Sequence, residues 1–115
     1  MLTKKEERTH EIRTNPVGGS GELDVDSLFC EPQKPQKVRT YAHMQLAAGG
    51  EIGYHTHSGE SESYYILSGT GTYNDDGTSY SVRAGDVTFT PSGHGHGLKN
   101  DGDVPLSFMA LIVLD

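Results

Sequence analysis

Glycine dominates the second half of this chain and restricts the folds that the chain can adopt. Fifteen of the 115 residues are glycine, and twelve of these lie between Gly49 and Gly102. Glycine adopts positive φ without the steric penalty of a Cβ, so it is enriched in tight turns and unfavourable inside helices. The distribution therefore predicts many short strands joined by tight turns, and it argues against a helical bundle.

Alternation of apolar and polar residues between these turns indicates where the strands lie. The pair Asp76-Gly77, for example, favours a tight hairpin. Strands are predicted at residues 22–29, 38–46, 51–57, 62–67, 70–73, 78–82, 87–90, 98–100 and 106–114. Turn signals at such even intervals predict an all-β sandwich or barrel.

The first 21 residues have a different character. Thr3 and Glu6 have the spacing of a capping box, which predicts a short helix within residues 1–9. The segment Asn15–Gly21 contains a proline and three glycines and shows no apolar periodicity, as is typical of a connector. We therefore expect residues 1–21 to form an N-terminal arm and connector, and residues 22–115 to form one barrel domain.

Composition excludes several classes of partner. The net charge is −7, and no basic run is present that would neutralise a phosphate backbone, so nucleic acid is not expected. The apolar stretch at residues 108–114 is far shorter than the roughly 20 residues of a membrane-spanning helix, and no leader is evident, so we expect a cytoplasmic protein without a membrane partner. Cys30 is the only cysteine, so the chain forms no internal disulfide. Apolar residues make up only 33% of the chain, which predicts a small core. A metal or a second subunit would therefore help to stabilise the fold.

Four of the six histidines occur in two close pairs, His55/His57 and His94/His96. Residues two apart on a strand point to the same face, so His55 and His57 would lie side by side, with Glu62 on the next strand of the hairpin and His96 available from a later loop. Imidazoles with one carboxylate suit Zn, Mn, Fe, Co or Ni. The alternative is that His55-Thr56-His57 is a partly exposed strand edge without a metal.

The order and spacing of these residues resemble the two motifs of the cupin superfamily. The first motif consists, at its characteristic spacing, of Gly49, His55, His57, Glu62 and Gly69. The second consists of Gly85, Pro91, Gly93, His96 and Asn100. The resemblance implies a double-stranded β-helix, which is a jelly-roll barrel, with a divalent metal held by His55, His57, Glu62 and His96.

Three further side chains are candidate catalytic residues. Tyr64 has the same strand parity as Glu62 and should face the metal, although it is also a plausible core aromatic. On its strand, His43 shares one face with Tyr41 and Gln45, whereas Ala42, Met44 and Leu46 form the other face. Alternation alone does not decide which face lines the barrel. His94 either approaches the mouth of the barrel or is a loop histidine that faces solvent.

The resemblance leaves several functions open, because fold does not fix function. The leading hypothesis is a metal-dependent enzyme that acts on a small oxygenated acid or carbonyl compound, as a dioxygenase, decarboxylase or isomerase. The alternative is a module that binds or senses a small sugar or acid, and a third hypothesis is a purely structural barrel. Small cupins commonly pair, so the resemblance also implies a homodimer.

Overall fold

Two antiparallel β-sheets make up the molecule in a computed structural model that describes all 115 residues. The strands are β1 (Thr9–Thr14), β2 (Glu22–Ser27), β3 (Val38–Leu46), β4 (Glu51–Thr56), β5 (Glu60–Ser68), β6 (Thr70–Asp75), β7 (Thr78–Arg83), β8 (Gly95–Lys99) and β9 (Leu106–Leu114). The larger sheet has the order β1-β2-β3-β9-β5, and the smaller has the order β4-β8-β6-β7. The predicted all-β jelly-roll barrel is confirmed.

The core lies between the two sheets and follows from the two-residue period of the strands. On β3, Ala42, Met44 and Leu46 are buried, whereas the residues between them are at least partly exposed. Strand β9 shows the same alternation, with Phe108 and Ala110 fully buried. Alternate residues of each sheet therefore fill the barrel, and fourteen buried apolar residues form one cluster.

The N-terminal region differs from the expectation. A single 3-10 turn at Lys5–Glu7 occurs in place of the short helix, and it is followed at once by β1. Residues 9–14, which the sequence assigned to an arm, pair with β2 and so belong to the larger sheet. Every residue of β1 is exposed, so its hydrogen bonds to β2, and not apolar burial, keep it in place.

The segment at residues 87–90 was predicted as a strand but forms only two isolated bridges to β5, Glu62 with Thr90 and Tyr65 with Val87. Its backbone nevertheless follows β5 closely, because Thr88 and Thr90 donate their N–H groups to the carbonyls of Tyr64 and Glu62. This segment therefore extends the barrel wall beside β5 without a continuous ladder.

Two irregularities in register matter for the site. On β3, Val38 pairs with Val113 and Thr40 pairs with Ile112, so Arg39 is an extra residue on that strand. The pairing of β4 with β8 shifts between Ile52 and His55. Such bulges redirect side chains and are common next to functional sites.

None of the helices is long and apolar enough to cross a membrane.

Candidate metal centre

His55, His57, Glu62 and His96 converge inside the barrel and are called the ligand cluster below. One ligand atom from each lies within 4.8 Å of the ligand atoms of all the others. His57 Nε2 and His96 Nε2 are 3.1 Å apart, and each is 2.9 Å from Glu62 Oε1. His57, Glu62 and His96 are buried, and His55 is half-buried. The structure therefore brings together the four side chains that the sequence singled out as metal ligands.

The fold supplies these side chains from both sheets. His55 and His96 are direct partners in the pairing of β4 with β8, because the register shift on β4 places His55 opposite His96. His57 follows the end of β4, and Glu62 reaches the cluster from β5 in the other sheet. The three imidazole rings have centroids 4.7–5.0 Å apart and are inclined steeply to one another. The rings therefore surround a common point edge to face and do not stack.

Two of the histidines have the second ring nitrogen fixed by an acceptor. His55 Nδ1 lies 2.7 Å from the carbonyl oxygen of Gly53, and His57 Nδ1 lies 2.7 Å from Glu60 Oε2. Because carbonyl and carboxylate oxygens only accept, each Nδ1 carries a proton and donates it. In the neutral ring, Nε2 is then left with its lone pair, as a metal ligand requires.

His96 is held by two hydroxyl groups. Its Nδ1 is 2.8 Å from the Tyr73 hydroxyl and 3.0 Å from Thr90 Oγ1, and these two oxygens are 2.6 Å from each other. His96 is fully buried, so these contacts also satisfy a ring nitrogen that water does not reach. Its orientation is thereby fixed with Nε2 towards Glu62.

The donor set fits a divalent transition metal. Ring nitrogens of His57 and His96 and an oxygen of Glu62 lie within 3.1 Å of one another, a separation that requires a proton or a metal ion between them. Burial of the Glu62 carboxylate is unfavourable without such a charge. Imidazole and carboxylate ligands suit Mn, Fe, Co, Ni and Zn alike, so the donor set does not select among them.

Burial affects the proton equilibria at the site. Desolvation, with the neighbouring His96 and His57 as smaller causes, holds the pKa of His55 below its ordinary value and favours the neutral ring. Full burial, reinforced by the charge of Glu62, holds the pKa of the Tyr64 phenol well above its ordinary value. Tyr64 is therefore a neutral proton donor throughout the physiological pH range.

The three candidate catalytic residues lie in different places. Tyr64 is buried and its ring stacks on that of His96, with centroids 5.0 Å apart. His43 lies on the outer face of the larger sheet, where its Nε2 is 2.7 Å from Ser107 Oγ. His94 is exposed and its Nδ1 is 2.9 Å from Asp76 Oδ2. Only Tyr64 of these three packs against the ligand cluster.

A small cavity of about 110 Å³ adjoins the cluster. It is lined on one side by Glu62 and Tyr64 and on another by Arg13 and Arg39. The segment Asn15–Gly19, called the strap below, contributes Pro16 and Val17 to its wall. The chain end that was expected to be an arm therefore helps to enclose the cavity.

Sequence reasoning missed the residues that support the cluster. Glu60 has the same strand parity as Glu62, and this signal could have placed it on the inner face. Tyr73 and Thr90 carry no comparable signal, since their contact with His96 depends on how separate strands pack. Arg39 was missed because a bulge is not visible in the pattern of residue types.

Fold and site together define a small β-barrel protein with an interior His₃Glu ligand set. Residues 42–113 match the family model described as "Cupin domain". The chain belongs to the cupin family.

Similar proteins extend this result. The chain is 40% identical over 114 residues to a protein of Thermotoga maritima named "Oxalate-binding protein", with 99% of this chain and 94% of that protein covered. The crystal structure of a predicted oxalate decarboxylase from T. maritima superposes with a TM-score of 0.92 and 40% identity over the whole of both chains. The polyketide cyclase RemF of Streptomyces resistomycificus shares the fold at 19% identity and a TM-score of 0.78, over 99% of this chain and 78% of RemF.

Proposed function

We propose that this protein binds a small dicarboxylate of the oxalate class at a divalent metal held by His55, His57, Glu62 and His96. The observation that carries this proposal is the convergence of three imidazoles and one carboxylate beside a small cavity. When bound, a six-coordinate ion with four protein ligands would supply a Lewis acid with two exchangeable positions, which suits a bidentate oxygen ligand.

The size of the cavity favours a small ligand. Its volume is about 110 Å³, and six of its ten lining residues are apolar. Arg13 and Arg39 also line it, but each guanidinium is paired with a carboxylate of the protein, that of Glu11 or of Glu60. The positive charge for a small anion would therefore come from the metal beside Glu62. The oxalate-binding relative at 40% identity supports the same class of ligand.

Turnover of that ligand is the second candidate function, and Tyr64 favours it. Its buried ring packs on His96 and lines the cavity beside Glu62, which places its hydroxyl to donate a proton to a ligand there. Decarboxylation of a dicarboxylate requires such a donor, because the carbon that loses carbon dioxide must gain a proton. A binding protein needs only the metal.

Calorimetry tests the binding function. Protein depleted of metal with a chelator is reloaded with Mn²⁺ and titrated with oxalate, and acetate serves as a monocarboxylate of similar chemistry. We expect saturable oxalate binding at one site per chain, strictly dependent on the metal, and much weaker binding of acetate. Equal oxalate binding with and without metal would contradict the proposal.

Tyr64→Phe separates turnover from binding. This change keeps the ring that stacks on His96 but removes the hydroxyl. If the protein is an enzyme, formate and carbon dioxide accumulate from oxalate under air, and the variant loses about 10- to 1,000-fold of that rate with its metal content unchanged. Absence of formate from the wild type under these conditions would contradict decarboxylation.

We also propose that the protein is a homodimer. Tyr65 and Leu67 of β5 are 49% and 42% exposed, and Val87 and Phe89 of the neighbouring segment are 70% and 62% exposed. The bridge between Tyr65 and Val87 makes these side chains neighbours on the outer surface, and such patches are typical of subunit contacts. Light scattering at micromolar concentration should give twice the chain mass of 12.4 kDa, and a monomer mass would remove this proposal.

A further inference from the structure

We propose that Glu60, held in place by Arg39, is a positioning residue that sets the metal affinity of His57. The geometry is a chain of three groups. Arg39 Nε and Nη2 donate to Glu60 Oε1 and Oε2, each at 2.8 Å, and Glu60 Oε2 accepts from His57 Nδ1 at 2.7 Å. The inference rests on the proposed metal centre and assigns a role to two residues outside the ligand cluster.

Glu60 and Arg39 meet although they lie on strands that do not pair with each other. Glu60 lies two positions before Glu62 on β5 and therefore points to the same inner face. Arg39 comes from β3, which is separated from β5 by β9 in the larger sheet. As the extra residue of the β3 bulge, Arg39 has no partner on β9, which leaves its side chain able to cross towards Glu60.

The surroundings of Glu60 suit an ionised carboxylate. Its side chain is only 13% exposed, so a solitary charge there would be unfavourable, and the Arg39 fork supplies the compensating charge. Arg39 engages both carboxylate oxygens of Glu60, and this fork holds Oε2 in position to accept from His57 Nδ1.

The three histidines differ in the partners that hold them. His55 donates to a backbone carbonyl, and His96 contacts two hydroxyls, whereas His57 alone donates to a carboxylate. A carboxylate partner fixes the ring orientation, and it also raises the basicity of the opposite nitrogen. His57 is therefore the one ligand histidine whose outer partner is charged, and Glu60 is that partner.

Glu60→Gln tests the role directly. The amide keeps the size of the side chain and an oxygen that can accept from His57, but it removes the charge and the fork to Arg39. We expect the dissociation constant for Co²⁺ or Zn²⁺, measured by competition with a chromophoric chelator, to rise about 10- to 100-fold. Glu60→Asp keeps the charge on a shorter side chain and should recover part of the lost affinity.

Glu31→Gln is the matched control. It removes the same unit of charge and a surface ion pair, that of Glu31 with Lys34 at 3.4 Å, which lies outside the cluster and its supporting contacts. Its metal affinity should equal that of the wild type. Arg39→Gln, which leaves Glu60 in place without its fork, should weaken metal binding in the same direction but less than Glu60→Gln.

The unfolding midpoint of the metal-free protein distinguishes a positioning role from a merely structural one. If the ion pair is only structural, its removal should lower that midpoint and leave the metal affinity of the folded protein unchanged. This result would overturn the inference. If Glu60→Gln does not fold, Arg39→Gln decides, and wild-type affinity in that variant would equally overturn it. A wild type that binds no metal is a different outcome, because it removes the proposed metal centre itself.

Discussion

Each histidine of the ligand cluster uses one ring nitrogen for the protein and turns the other towards the shared centre. Gly53, Glu60 and the pair Tyr73 and Thr90 supply the outer contacts. These partners limit ring rotation, and the acceptors at His55 and His57 also select the tautomer of the ring. At the residue scale, the positions of the three ligand histidines therefore depend on the hydrogen bonds of their outer ring nitrogens.

Replacement of His96 should abolish metal retention. His96→Asn removes a fully buried ligand at the centre of the cluster, and its shorter side chain does not reach the position of Nε2. Elemental analysis of untagged protein should show about one metal per chain for the wild type and less than a tenth of that for the variant. His10→Asn changes an exposed histidine of β1 and is the control. Unchanged metal content in His96→Asn would refute the site.

At the scale of the element, the strap and β4 lie in very close contact. A Cβ added at Gly53 would collide with the carbonyl oxygen of Val17, and the Gly53 carbonyl is also the acceptor for His55 Nδ1. The same glycine thus allows the close approach of the strap and orients one ligand. The position of the strap, the cavity wall and the ligand cluster are consequently linked through one residue of β4.

Gly53→Ala adds a single methyl group but should lower the stability of the protein substantially. The added methyl meets backbone atoms that cannot rotate away, so we expect a loss of about 1–3 kcal/mol in the free energy of unfolding. Gly102→Ala is the control, because the nearest atoms to its added Cβ are 3.4 Å away or further, an ordinary contact distance. Denaturant titration measures both variants, and equal midpoints would show that the strap yields without cost.

The turn between β6 and β7 carries a pH-dependent contact. The hydrogen bond from His94, with a smaller one from the Gly95 N–H, holds the pKa of Asp76 below its ordinary value of 3.8. A lowered folded-state pKa stabilises the fold above the ordinary pKa, and this contribution is lost as pH falls through the folded-state pKa. Asp76→Asn should therefore lower the denaturation midpoint slightly at pH 6, and the difference should disappear well below pH 3.8. A difference that persists in acid would contradict this assignment.

On the scale of the whole molecule, the ligand cluster joins the two sheets, since Glu62 belongs to the larger sheet and His55 and His96 to the smaller. A metal bound there would cross-link the sheets in the folded state only, because the unfolded chain holds these side chains far apart. Binding to the folded state alone raises the free energy of unfolding by mass action.

Metal should therefore stabilise the protein measurably. At a free concentration about 100 times the dissociation constant, the gain is about 2.7 kcal/mol. The unfolding midpoint should rise with added Mn²⁺ or Zn²⁺ and return to its starting value with a chelator. His96→Asn should show no such dependence, and a metal-dependent rise in that variant would place the ion elsewhere.

The sequence determined the fold class and the ligand set, because glycines at turns, strand alternation and motif spacing are local signals that the chain carries in order. It predicted β3 and β9 with their observed bounds, and it named the four side chains that converge. It missed β1, since Thr9–Thr14 has no apolar alternation and is held by pairing with β2 alone.

Only the tertiary structure decided what surrounds the ligand cluster. The packing of the two sheets decides which face of β3 is buried and brings Tyr73 to His96. The bulge on β3 allows Arg39 to reach Glu60. Such contacts join residues far apart in the chain, and the free energy that fixes them comes from packing and hydrogen bonding in the assembled barrel. Local residue order therefore specifies the ligands, and the folded barrel specifies their partners.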